Sequence, residues 1–399
     1  ADAGNVACLL AGSGTALPED PDAWAAEVRR LTDDPAHHAA KSAAALRNAA
    51  RLSSRHQTEG FARLFAGLRR RILVAVGSGA GNLCHQTPVV RRLAEHYGAP
   101  VDVLVNGDFP GCAALFRGAP WVAAVYETPE HVLPRTYDLA VVTQTYGRVL
   151  PPISARRIVN ARDVAPFDPC AGEHEVDVNL RLLERGLGVP IRPEDRQGYF
   201  LGAYRYRFPA SRRVALHAGC KGGAYLVKRW PHFAELAGRL TDAGYTVVSV
   251  GVEDEYVPGT IRAVGGTFDD TIRELLGCDA LISNDSGIMN LANALGMPTV
   301  AFFGPSSARV RGPVHAAPAL AFQAPLACSP CEERPELKHR FTEGLCTCIG
   351  RIGLDDVAGP ILAFLARLPE GAATAEASPG RPTETPSVGE APRLATAAG

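Results

Sequence analysis

The stretch "SNDSGIMNLANALGMPTVAFFGPSS", residues 283–307, places three residues able to cap a helix (Asn284, Asp285 and Ser286) and a glycine between two apolar runs. Ile288, Leu291, Ala292 and Leu295 follow the i, i+3, i+4, i+7 spacing of one helix face. Gly296 and Pro298 supply a stop, and Thr299–Phe303 reads as a strand. Upstream, "ALIS" (280–283) is a strand as well, so the unit is strand, capped helix, strand, the building block of a parallel sheet. A helix starting here turns unpaired N–H groups and the positive end of its dipole toward whatever lies above the preceding strand, which suits an anion. The plain alternative is that Asp285 serves only as the N-cap.

The same alternation extends in both directions. Ile72–Val76, Val101–Val105, Val122–Tyr126 and Leu139–Thr143 are short β-rich runs, with helical stretches such as Pro88–Tyr97 between them. A helix over Val176–Leu187 follows, and the Pro- and Arg-rich segment 189–211 reads as a linker. A second series opens with "RRVALHAG" (212–219), continues through a helix near 231–243 and a strand at 245–251, and reaches a helix at about 269–277. The expected fold is α/β, with two Rossmann-like halves, 71–200 and 201–368, facing a cleft. Residues 1–70 read as a helical extension, in which Trp24, Val28 and Leu31, and later Phe61, Leu64, Phe65 and Leu68, repeat at helical spacing. Apart from Val388 and Leu394, residues 369–399 lack large apolar side chains and read as a disordered tail.

The totals narrow the function classes. A hydrophobic share of 46% over 399 residues suits a globular chain of two or three domains. A net charge of −1 and the lack of a long basic block give nucleic acid no electrostatic footing. No apolar run reaches the ~18 residues of a membrane span. Ten scattered cysteines indicate a reducing, cytoplasmic setting. The start, "ADAGNVACLLAG", lacks the positive flank of a secretory signal, and it opens on Ala1, as expected of a chain processed or cut from something longer.

Four further stretches could carry chemistry. "VGSGAGNLCHQTP" (76–88) leaves the first strand through Gly77, Gly79 and Gly81. Asn82 breaks the G-x-G-x-x-G spacing of a dinucleotide fingerprint, with Asp102 or Asp108 only loosely placed as its acid. A substrate-facing loop is the favoured reading, ahead of a structural glycine turn. "HAGCKGGAYLVKRWPHF" (217–233) carries Gly219, Lys221, Lys228 and Arg229 beside a helix start with Pro231 in its first turn, a pattern suited to phosphate or to a solvated basic turn. "SVGVEDEYVPG" (249–259) ends a strand on Glu253, Asp254 and Glu255, placed either to hold ribose hydroxyls or to face water. Cys328-x2-Cys331 and Cys346-x-Cys348 leave zinc binding, a disulfide and simple packing open, the second pair being one residue short of the usual zinc spacing.

Taken together, "RRILVAVGSGAGNLCHQTPVVRRLAEHYGAPVDVLV", "LHAGCKGGAYLVKRWPHFAELAGRL" and "LISNDSGIMNLANALGMPTVAFFGPSS" stand in the order and spacing of family 9 glycosyltransferases, the ADP-heptose:lipopolysaccharide heptosyltransferase-like group. The late segment "CSPCEE…CTCIG" also looks like theirs, and the resemblance covers about 71–365. It implies the GT-B arrangement of two Rossmann-like domains, a nucleotide-diphospho-sugar donor, inversion at the anomeric carbon, and neither cofactor nor metal. By position it implies Lys228 at the donor's phosphates, Glu255 at its ribose, and Asp285, Ser286 and Gly287 at the pyrophosphate and sugar, with Gly219 and Lys221 in the same donor site. Residues 1–70 resemble the carboxyl-terminal tail of family 4 glycosyltransferases, through "DPDAWAAEVRRLTDDP" and the helix after it.

Two departures bear on mechanism. The family's Gly-Asp, whose Asp is the expected base, is Gly81-Asn82 here, and an amide cannot take the acceptor's proton. The family's His in the fourth stretch is Asn290. His85, three residues past Asn82, is the substitute base. The expectation is therefore an inverting cytoplasmic glycosyltransferase that moves a sugar, with heptose the first candidate, to a hydroxyl of a glycan or natural product, with peripheral membrane-surface association left open. The alternatives are a catalytically impaired sugar-nucleotide module of a larger fusion and, from the glycine loop, an NAD-linked dehydrogenase.

Overall fold

The computed structural model describes residues 20–51, 70–77, 79–106, 111–144, 153–197, 204, 206–314 and 317–375. The chain divides into two compact units, 1–69 and 70–399. In the first, Asp20 caps α1 (Pro21–Asp33) by accepting the Asp22 N–H at 3.0 Å, and Asp34 caps α2 (Pro35–Arg51) through the Ala36 and His37 N–H groups. Trp24 and Val28, spaced along one helix face, are more than half exposed, and no residue of α1 is buried. Two short helices offer too little surface to enclose a core. Phe61, Leu64, Phe65 and Leu68 lie outside the described residues.

The second unit holds two large parallel sheets and a two-stranded parallel pair, Thr136–Tyr137 with Ser154–Ala155. The first joins β1 (Ile72–Val76), β2 (Val101–Val105), β3 (Val122–Tyr126), β4 (Leu139–Val142) and β5 (Ile158–Asn160) in the order β3-β2-β1-β4-β5. The second joins β6 (Arg213–His217), β7 (Thr246–Gly251), β8 (Ile261–Val264), β9 (Ala280–Asn284), β10 (Thr299–Phe303) and β11 (Ala319–Gln323) in the order β8-β7-β6-β9-β10-β11. Two Rossmann-like lobes, the GT-B-type arrangement, result. Strands covered on both faces by helices read as unbroken apolar runs, which is why β1, β9 and β10 were legible. The edge strands β8 and β11, with exposed residues such as Ile261 and Ala319, carry no such signal.

The α-helices of five residues or more are α3 (Ala80–Tyr97), α4 (Glu175–Leu187), α5 (Phe233–Asp242), α6 (Phe268–Leu276), α7 (Gly287–Leu295), α8 (Lys338–Thr342) and α9 (Leu354–Ala375). One buried cluster runs without a break from Leu83, Val90 and Leu93 of α3 to Leu291 and Ala292 of α7. The lobes therefore meet along these two helices. A second cluster lies between the second sheet, α5 and α9, with Trp230 stacked on Phe302 at 4.2 Å between ring centres.

Three boundaries differ from expectation. Helix α3 starts at Ala80 and contains Pro88, which the sequence placed at a helix start. Pro88 cannot donate to the Cys84 carbonyl, and the Thr87 hydroxyl supplies that bond instead at 2.9 Å. The stretch read as a linker is partly packed down: Val189 is buried, and buried Asp195 sits between Arg92, 3.2 Å away, and Arg192 at 3.0 Å. Helix α9 runs to Ala375, into the segment read as a tail, whose residues 376–399 lie outside the described set.

Candidate active site

In open parallel sheets, ligands gather at the carboxyl ends of the strands, where strand order reverses. Here those ends belong to β1 in the first lobe and to β6, β7, β9 and β10 in the second. The three capping residues after β9 prove to have three separate jobs. Asn284 stitches neighbouring loops: its amide donates to the Ala218 carbonyl at 2.8 Å, and its Oδ1 accepts the Trp230 N–H at 2.9 Å. Asp285 forms a buried ion pair with Lys228 and accepts the Ser306 hydroxyl at 2.5 Å. Ser286 is the N-cap of α7, accepting the Met289 N–H at 3.2 Å. The capping reading thus moves one residue, from Asp285 to Ser286. Burial works to raise the Asp285 carboxyl, but the Lys228 ammonium and Arg311 outweigh it and hold it below its ordinary value.

The Lys228 ammonium also lies 5.5 Å from the ring centre of Tyr225 and 5.3 Å from that of Phe341, the two rings meeting edge to face. Lys221 is exposed, unlike Lys228, though its ammonium also lies 5.5 Å from the Tyr225 ring centre. The three carboxylates after β7 also separate. Glu253 pairs with Arg262 and Asp254 faces Arg229 at 3.6 Å, both on the surface. Glu255 turns inward, its Oε2 3.1 Å from His217 Nε2 and 2.9 Å from the Val252 N–H. A side chain at Gly219 would overlap that carboxylate, so glycine is required there.

The glycine loop of the first lobe is shorter than expected. Helix α3 already begins at Ala80, and the start of α7 abuts it: a Cβ on Gly287 would meet Ala80 Cβ at 3.3 Å and the Gly81 nitrogen at 3.4 Å. A Cβ on Gly81 would meet the Asn290 amide at 2.9 Å. Gly81 therefore permits helix-to-helix approach, where the sequence suggested a substrate-facing loop. The contact brings together the first turns of an 18-residue and a 9-residue helix, and with them two positive dipole ends. Asn82 is half-buried in the first turn of α3. Asp102, the loose match to a nicotinamide acid, accepts the Tyr137 hydroxyl at 3.0 Å, a structural role; Asp108 lies outside the described residues.

A buried polar chain crosses between the lobes beside this contact. His85 Nδ1 is 2.6 Å from Glu175 Oε2, and its Nε2 is 3.1 Å from Asn290 Oδ1. Arg311, just after β10, pairs with both Glu175 and Glu332. Burial pushes the Glu175 carboxyl up, yet Arg311 and His85 overcome this and bring it down to about 2. His174 Nε2 donates to the Gly312 carbonyl at 2.9 Å, and burial lowers its pKa to about 3. Sequence reasoning missed Glu175, Arg311, His217 and Ser306. Only His217 and Ser306 carried a signal, since both follow directly on the carboxyl ends of strands.

All nine described cysteines are free thiols. Cys331 and Cys346 touch, sulfur to sulfur, at 3.4 Å, and burial pushes the Cys331 thiol up to about 12. Among the described residues, no helix is long and apolar enough to cross a membrane.

Residues 162–341 match the family model of glycosyltransferase family 9 (heptosyltransferase). Lipopolysaccharide heptosyltransferase 2 of Escherichia coli K12 is 37% identical over 106 residues, which is 22% of this chain and 30% of that protein. Lipopolysaccharide heptosyltransferase 1 of Pseudomonas aeruginosa is 26% identical over 199 residues, 45% of this chain and 53% of its own length. The chain thus spans about a third to a half of the curated relatives it matches. In three dimensions it resembles E. coli ADP-heptose lipopolysaccharide heptosyltransferase II, with a TM-score of 0.54, 23% identity, and 74% of this chain and 99% of that one covered. It also resembles E. coli heptosyltransferase WaaC with ADP, with a TM-score of 0.54, 16% identity, and coverage of 75% and 99%.

Proposed function

We propose, on the premise that this chain carries a domain of glycosyltransferase family 9, that it transfers a sugar, heptose by preference, from a nucleoside diphosphate to an acceptor hydroxyl. The carrying observation is the meeting of two helix starts at Gly287 and Ala80–Gly81, next to the Asp285 that holds Lys228. Charge builds on the diphosphate as its bond to C1 breaks. Preorganised N–H donors and a cation there each lower the barrier by roughly 3–4 kcal/mol when water is excluded. In this reading Glu255 takes the ribose, Gly219 gives its carboxylate room, and Lys228 exchanges part of its bond to Asp285 for the phosphate oxygens.

The reaction is a direct displacement. The acceptor oxygen attacks C1 from the face opposite the diphosphate, the C1–O bond to phosphate breaks with its electron pair leaving on oxygen, and the configuration inverts. Nε2 of His85 faces Asn290 Oδ1, which only accepts, so His85 must first give up that contact and the proton it donates there. Nε2 can then receive the acceptor's proton, with Glu175 at Nδ1 steadying the imidazolium that forms. Asn290 Oδ1 occupies the place at Nε2 that the acceptor hydroxyl must take. Neither cofactor nor metal enters this scheme. The natural acceptor is a glycan or a small natural product, and one displayed on a membrane would draw the chain to that surface.

The test is incubation with ADP-heptose and a panel of acceptors, following ADP release. Acceptor-dependent release, abolished by Lys228→Ala, supports the enzyme. A second reading, a sugar-nucleotide-binding module without turnover, is favoured by Asn82 and by the commitment of both His85 nitrogens to partners. It predicts donor binding without release, and release gained by Asn82→Asp.

A further inference from the structure

We infer that His217 is a positioning residue joining the two halves of the donor site: its imidazole holds the Glu255 carboxylate over Gly219 and the Ser286 hydroxyl at the start of α7 in one fixed arrangement. The inference rests on the donor reading above and adds a residue that the reading does not require.

His217 ends β6 and is 4% exposed, so its ring has no water to satisfy it. Nε2 lies 3.1 Å from Glu255 Oε2, and Nδ1 lies 3.0 Å from Ser286 Oγ and 3.1 Å from Ser283 Oγ. A carboxylate only accepts, so the proton sits on Nε2 and is donated to Glu255. Nδ1 is then an acceptor. Ser283 gives its hydrogen to the Asn284 carbonyl at 2.8 Å, and the Ser286 hydroxyl, which lies 3.0 Å from both Ser283 Oγ and Nδ1, is assigned as the donor to Nδ1. With that hydrogen directed at the ring, the Ser286 oxygen turns its lone pairs to the Met289 N–H and so caps α7. One tautomer satisfies every group.

The consequence for a ligand lies in the second carboxylate oxygen. Oε2 already accepts from His217 and from the Val252 N–H, whereas the nearest cation to Oε1, Arg229, is 3.9 Å away, beyond hydrogen-bond range. Oε1 is thus the acceptor oriented for an incoming hydroxyl. The Ser286 hydroxyl is correspondingly turned inward, so that the backbone N–H groups of α7, not this side chain, face the diphosphate. Removing the ring frees the carboxylate to rotate and unlocks the cap at the same time.

Binding of ADP and of 2′,3′-dideoxy-ADP to the full chain, measured calorimetrically, tests this in the wild type, His217→Ala and His217→Gln. The wild type should prefer ADP by about tenfold or more, since a buried carboxylate left without its hydroxyl partner is costly. His217→Ala should bind ADP about tenfold more weakly and lose most of that preference. His217→Gln, whose amide nitrogen reaches Glu255 while its oxygen does not stand where Nδ1 meets Ser286, should keep the preference while binding both nucleotides more weakly. If the alanine variant fails to fold, the glutamine variant decides, because unchanged affinity for both nucleotides overturns the inference. Unchanged affinity and preference in a folded His217→Ala overturn it as well. A wild-type chain that binds ADP without any preference also sinks it, while one that binds no nucleotide diphosphate sinks the donor reading and this inference with it.

Discussion

The two polar clusters near the meeting of the lobes are built in opposite ways. Around Lys228, Asp285, His217, Glu255 and Ser286, every group comes from the second lobe, at the ends of neighbouring parallel strands. Around His85, Glu175, Asn290 and Arg311, the groups come from α3, α4, α7 and the segment after β10; His85–Glu175 lies within the first lobe, while His85–Asn290 and Glu175–Arg311 exist only while the lobes touch. The first cluster is a property of one sheet, the second of an interface. If this contrast is right, damage to the first should abolish chemistry, and damage to the second should loosen the lobes.

Lys228→Ala gives the sharpest break. It leaves Asp285 buried without its cation and removes charge from the leaving group. Turnover should fall on the order of a thousandfold, with urea unfolding showing a loss of roughly 3–5 kcal/mol. Arg311→Met deprives both Glu175 and Glu332 of their partner. Its stability loss should be about 3 kcal/mol or more by the same measurement, while ADP still binds; loss of ADP binding in a folded Arg311→Met would merge the two clusters into one.

Acid should act on the interface first. Glu175 has a depressed pKa in the folded chain, so its contribution is present above its usual value near 4.5 and is lost as pH falls toward 2. His174 is held neutral by burial, and protonation opposes folding increasingly as pH drops from 6.5 toward 3. Stability measured from pH 7 to 4 should therefore decline, and His174→Gln should flatten that decline by about 1 kcal/mol per pH unit. An unaltered profile would remove the histidine from the account. The smallest effect belongs to Gly81→Ala, whose methyl must displace the Asn290 amide. A melting temperature lowered by the equivalent of about 1 kcal/mol, and restored in the Asn290→Ala background, would place the strain at the α3–α7 contact.

Much of the second lobe was legible beforehand. Its strands are apolar on both faces and its polar residues gather within a few positions of the strand ends, so the stretches that hold Lys228, Glu255 and Asp285 stand out from pattern. The choice of Glu255 over Glu253 and Asp254, and the expected roles of all three, come from the family resemblance. Yet the partners are not readable: the letters show three capping residues in a row, with the cap left open as an alternative for Asp285, and not which of them meets Lys228, fifty-seven positions away. The start of α3 was misjudged because a proline normally marks a helix start, and nothing in the letters shows Thr87 supplying the missing bond. In the helical extension, regular spacing at Trp24, Val28 and Leu31 predicted a helix, and one runs from Pro21 to Asp33.

Local order, then, was determined by the sequence itself: alternating apolar runs, glycines and caps dictate parallel strands and the loops that end them, because backbone geometry and burial act over a few residues. Only the tertiary structure decided which charges neutralise one another. Glu175 and Arg311 are 136 residues apart, and their pairing depends on two lobes closing a dry space between them, where an unpaired charge would be too costly to keep.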